Sequence, residues 1–93
     1  MPLSLNSIVS QASNCLAADV DGEAVLMMMN SGNYYALDPV GSDIWARISD
    51  PKAVVELCND LKLEYDAPRE RIERDVLTLL GDLVAAGAVE IKS

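Results

Sequence analysis

Between residues 14 and 37 apolar residues come in short runs broken by turn formers, and from Pro39 onward they recur every three or four positions. The first regime predicts strands and the second helices. Cys15-Leu16-Ala17-Ala18-Asp19-Val20 reads as a strand closed by Asp21-Gly22, a dipeptide whose two positions tolerate positive φ and suit a two-residue hairpin. Residues 23–29 form a second strand without alternation, as in a central strand covered at least partly on both faces. Asn30-Ser31-Gly32-Asn33 is a turn, and Tyr34-Tyr35-Ala36-Leu37 is a third strand of apolar and aromatic residues. The economical arrangement is a three-stranded antiparallel meander.

Asp38 and Pro39 are suited to the N-cap and first position of a helix that carries Ile44, Trp45 and Ile48 at helical spacing. Asp50-Pro51 repeats that signal ahead of a second helix with Val54, Val55, Cys58 and Leu61 on one stripe. After the turn Tyr65-Asp66-Ala67-Pro68, a third helix over 69–86 puts Ile72, Val76, Leu79, Leu80 and Leu83 on one face and ends at Gly87, a left-handed cap. Val89 and Ile91 suit a short extended tail. Residues 1–13 carry no comparable pattern and read as a flexible N-terminal arm, which leaves 14–93 as one domain. Strands followed by three helices predict an α+β fold in which helices cover one face of a small sheet whose edges stay open.

Charge narrows the partners. Fifteen acidic and seven basic side chains give a net charge of −8, which repels nucleic acid and anionic lipid and favours a basic peptide or protein surface. The chain has no His, and Cys15 and Cys58 stand alone, so no zinc cluster or thiol–imidazole couple is expected. Two isolated thiols fit packing roles in a reducing cytoplasm. No apolar run approaches the roughly 18 residues of a membrane span. Neither a phosphate-binding glycine loop nor a GxSxG motif is present, so the residues point to a non-catalytic protein without a cofactor.

Asp21-Gly22-Glu23-Ala24-Val25-Leu26, Ser31-Gly32-Asn33-Tyr34-Tyr35-Ala36-Leu37-Asp38 and Val40-Gly41-Ser42-Asp43-Ile44-Trp45 together resemble the pattern of PqqD-like peptide chaperones. These are the recognition elements of pathways that modify ribosomally made peptides. Tyr65-Asp66, Asp75-Val76, Leu79-Leu80, Leu83 and Gly87-Ala88-Val89 follow the same pattern. Met27-Met28-Met29 departs from it, because Leu and then a polar residue are common there, and Asp38 stands where Asn is frequent.

The resemblance implies a winged helix-turn-helix-like fold that binds the leader segment of a precursor peptide as an added strand beside the third strand. It implies pairing along Asn33, Tyr34, Tyr35, Ala36 and Leu37, with Arg71, Arg74, Asp75 and Thr78 as the far wall of a groove. One of the Tyr34 and Ala36 N–H groups is expected to face outward. By analogy with lasso-peptide systems, a separate modifying enzyme such as a leader peptidase or cyclase completes the work. Plainer roles compete at several positions. Tyr35, Leu37 and Trp45 suit the core, Asp75 suits an ion pair with Arg71 one turn earlier, and the methionines suit core filling. The competing function is an adaptor or a homodimer formed through an edge strand. A winged-helix DNA binder is disfavoured because Arg69-Glu70-Arg71-Ile72-Glu73-Arg74-Asp75 nearly cancels its own charge.

Overall fold

The computed structural model describes residues 3–92. In chain order the elements are β1 (Ile8–Gln11), β2 (Cys15–Val20), β3 (Glu23–Met28), β4 (Tyr34–Ala36), α1 (Pro39–Arg47), β5 (Lys52–Ala53), α2 (Val54–Glu64), α3 (Arg69–Ala86) and β6 (Val89–Ile91). They form two three-stranded antiparallel sheets, β2-β3-β4 and β5-β1-β6, around three helices. The architecture is α+β and winged helix-turn-helix-like, as the sequence predicts, with a second sheet that the sequence reading lacks.

The meander follows from its turns. Asp21 and Gly22 take φ of 56° and 85°, so the twist of the turn matches that of β2 and β3. Gly32 (φ 74°) closes the next turn, its N–H donating back to Met28 O at 2.7 Å. Leu26 and Met28 point into the core with Leu37, while Met27 is half-buried on the opposite face and Met29 is exposed. One methionine of the triplet is therefore core filler, one lies on the outer sheet face and one leaves the strand.

Asp38 caps α1, its Oδ1 accepting from Gly41 N at 2.7 Å, with Pro39 at the first helical position. Replacing Asp38 by Ala should cost about 1 kcal/mol and lower the melting temperature by roughly 4–8 °C, measured by circular dichroism. The second cap-and-proline signal does not act as one. Asp50 and Pro51 lie ahead of β5, and α2 starts at Val54 without a side-chain cap. Its first N–H groups instead donate to the N-terminal segment, Val54 N to Ser7 O at 2.9 Å and Val55 N to Leu5 O at 3.0 Å.

That segment is the main correction to the expected flexible arm; Met1 and Pro2 of that arm lie outside the described residues. β1 is the central strand of the second sheet, and its Val9 is fully buried. Gln11 N donates to Ile48 O, Ala12 N to Ala88 O, and the Gln11 side chain to Trp45 O, at 3.1, 2.8 and 2.8 Å. Residues 5–12 thus join the end of α1, the start of α2 and the chain after α3. α3 closes as expected: Gly87 is left-handed at φ 88°, Ala88 N returns to Leu83 O and Gly87 N to Val84 O, a pair of bonds that satisfies the last carbonyls.

Candidate functional site

The ladder between β3 and β4 decides which backbone groups are free. Met28 N donates to Asn33 O and Leu37 N to Ala24 O, both at 2.9 Å, and the register pairs Leu26 with Tyr35. Antiparallel pairs alternate, so Tyr35 spends its N–H and C=O on Leu26, whereas Tyr34 and Ala36 turn theirs to the open edge. Both N–H groups face outward, and the expectation that only one would do so is corrected: residues two apart on a strand point the same way.

Side chains sort by the same alternation. Tyr34 is 69% exposed and Ala36 is exposed, while Tyr35 is half-buried and Leu37 is buried. Trp45 is 5% exposed beneath the sheet. The core role weighed for Leu37 and Trp45 is what they have, and Tyr35 shares it in part. Asn33 is exposed in the turn before β4.

On α3 the spacing of Arg71, Arg74, Asp75 and Thr78 puts all four on one exposed stripe. Asp75 lies 3.8 Å from Arg71 and 3.7 Å from Arg74. These are loose, solvent-screened pairs that leave the carboxylate available to another cation. The structure brings Arg71 and Asp75 to the mouth of a groove of about 320 Å³ lined also by Val40, Ile44, Leu61, Tyr65, Ile72 and Val76. Arg74 and Thr78 are not part of that lining.

Gly41, next to the groove residue Val40, packs closely on the chain after β4 and on α3. A Cβ at this position would lie 3.4 Å from Leu37 Cβ and 3.5 Å from Leu79 Cδ2, so the end of β4, the first turn of α1 and α3 meet there. Sequence reasoning missed the groove's apolar floor. Val40, 44% exposed at the start of α1, gives no sign of it in the sequence, because single exposed apolar residues are ordinary.

The groove's rim is held by a polar chain. Tyr65 OH donates to Asp43 Oδ2 at 3.0 Å, and Arg47 bridges Asp43 (2.9 Å) and Glu64. The bond to Asp43 raises the Tyr65 pKa, with smaller contributions from burial and from the Asp43 charge. Burial pushes both thiols up, Cys58 being fully buried, and a raised thiol is a poor nucleophile. Among the described residues no cluster of His, Cys, Asp or Glu is placed to hold a metal ion, and no helix is long and apolar enough to cross a membrane.

Comparison with known proteins identifies the fold's relatives. A solved structure described as TbiB1 in complex with the TbiA(beta) leader peptide superposes with a TM-score of 0.81 at 31% identity, covering 87% of this chain and 94% of that one. A second, lasso peptide synthetase B1 complexed with the leader peptide, gives a TM-score of 0.79 at 26% identity, covering 88% and 96%. No curated protein matches the chain. The family described as Coenzyme PQQ synthesis protein D (PqqD) matches residues 23–89. With its fold, its open β4 edge and that match over most of its length, the chain belongs to the PqqD family.

Proposed function

We propose that this protein binds the leader segment of a ribosomally made precursor peptide and delivers it to a separate modifying enzyme. The observation that carries the reading is the open β4 edge, together with an apolar groove among α1, α2 and α3, on a chain that is 31% identical over 87% of its length to a protein solved with a leader peptide.

In this mechanism the leader adds as an antiparallel or parallel strand to β4. The outward N–H and C=O groups of Tyr34 and Ala36 supply backbone pairing whatever the leader sequence, and the groove selects among its side chains. An apolar leader residue enters between Val40, Ile44, Tyr65, Ile72 and Val76, which leaves Arg71 and Asp75 to read charge at the mouth. The anchored leader raises the concentration of the attached core peptide at the enzyme. The protein itself is a non-catalytic carrier, and the enzyme, a leader peptidase or a cyclase in lasso-type systems, performs the bond chemistry.

Asp75→Ala tests the charge reading. For a leader bearing Lys or Arg near the groove, affinity should fall about twofold to fivefold, the range of an exposed ion pair. The loss should shrink in high salt, because screening removes what the mutation removes. Fluorescence anisotropy at two ionic strengths measures both. An affinity unchanged at low salt would return Asp75 to a purely intrahelical role.

A further inference from the structure

The same sheet has a second open edge, and it is longer than the first. Met29 N donates to Asn14 O at 3.0 Å. With the register Leu16 to Met27, Ala18 to Val25 and Val20 to Glu23, alternation turns the backbone groups of Cys15, Ala17 and Asp19 away from β3. β2 has six residues and all but Cys15 are exposed. It carries no Lys and no Pro, Asp19 is its one charged residue, and among the described residues neither a bulge nor another strand covers it, whereas edge strands are usually protected more fully.

Side chains around β2 form a built surface. On the outer face Leu16, Met27 and Tyr34 stand in one cross-strand row and Ala18, Val25 and Ala36 in the next, with Leu16 and Val20 each 53% exposed. Beneath the strand lies a groove of about 400 Å³ between β2 and α1, lined by Ala17, Asp19, Ala24, Trp45 and Ala46 among others. Open backbone, an apolar face and a groove below thus recur at the sheet edge opposite β4.

Charge identifies the occupant. All seven Lys and Arg residues lie at position 47 or later; Arg47 pairs with Asp43, which leaves Asp19, Asp21, Glu23 and Asp38 of the meander and the start of α1 without an ion-pair partner among the described residues. A second copy of the chain, also at −8, would bring two such anionic hairpins together. The cationic side chains that could read an acidic leader, Arg71 and Arg74, are on α3 and do not line this groove.

We propose that β2 is a second strand-addition site, taken by an extended, lysine- or arginine-bearing segment of the separate modifying enzyme. The proposal rests on the leader-binding reading above. Leader and enzyme strands then flank one five-stranded sheet, four strand spacings or about 19 Å apart, a distance that roughly six extended residues span. A core peptide just beyond the leader strand reaches the enzyme without release from β4.

The test uses a candidate leader peptidase and a candidate cyclase, purified and each immobilised in turn, with binding of the full chain read by biolayer interferometry. Leader affinity is measured separately by anisotropy. Ala17→Pro removes an outward N–H without touching the internal ladder, and Glu23→Lys reverses an exposed charge at the hairpin. Each should weaken binding to one enzyme at least tenfold while leader affinity moves less than twofold, and the wild-type complex should weaken as salt rises. Wild-type enzyme affinity unaltered by either substitution, or no enzyme complex at all with leader binding intact, overturns the proposal and leaves the leader reading standing. Leader affinity lost in Ala17→Pro but kept in Ala36→Pro overturns it as well, by placing the leader on β2. Absence of leader binding by the wild type removes both.

Discussion

Ala36→Pro should weaken leader binding roughly tenfold to a hundredfold and leave the fold intact. The Ala36 N–H faces the open edge because its neighbour Tyr35 pairs with Leu26, so proline removes a donor that only an incoming strand uses. A leader carbonyl left without its donor costs about 1–3 kcal/mol, which sets the size of the loss. Proline is tolerated on an edge strand whose N–H side faces solvent, and the preceding Tyr35 is already extended, as proline requires. Tyr34→Pro should lose affinity for the same reason. Tyr35→Pro is the internal control: it removes a donor that Leu26 needs, so thermal stability should fall. Calorimetric titration of the leader together with a thermal melt separates the cases. Full affinity in Ala36→Pro would show that the leader does not add to β4.

Removal of residues 1–11 should abolish cooperative folding. Val9 is fully buried, and a buried Val contributes about 1.5–3 kcal/mol. Deletion also strips partners from Val54 N, Val55 N and Lys92 N, each bond contributing about 1 kcal/mol net and costing more when left unmade. A domain of this size has roughly 5–15 kcal/mol in total, so the losses are comparable with the whole. Circular dichroism should show no cooperative melt for the truncated chain. A melting temperature within a few degrees of the full chain would mean that β1 is dispensable, as a flexible arm would be.

Local signals explain which parts of the fold were legible. Asp21-Gly22, Asp38-Pro39 and Gly87 each fix backbone within a few residues, and the hairpin, the start of α1 and the end of α3 fall where they point. β1 was illegible because its partners, Lys52–Ala53 and Val89–Ile91, lie more than 40 residues away, and because the polar Ser7 and Ser10 are buried beside Val9, which erases any alternation. The start of α2 was misplaced for a related reason: its N–H groups are satisfied by the backbone of residues 5 and 7, and backbone caps leave no trace in residue type.

The candidate site divides the same way. That residues 34–36 lie at an open edge follows from a count of three strands, whereas the sequence reading turned only one of the Tyr34 and Ala36 N–H groups outward although strand parity turns both. The groove was only half visible, because Arg71 and Asp75 are chemically conspicuous on a helix stripe whereas Val40, Ile44 and Val76 look like ordinary core. Only the packing of α1 against α3 shows that these apolar residues leave a gap. The β2 edge was legible as a strand but not as a surface, since its exposure depends on how β2 and α1 pack around the groove between them.

The most direct test of leader recognition is an anisotropy titration of the full chain with a labelled leader from a candidate precursor, against a scrambled leader of equal composition. Saturable binding of the true leader at micromolar or lower concentration, at least tenfold tighter than the scrambled control, is the predicted result. Equal affinity for both peptides, or no binding at high protein concentration, would contradict it.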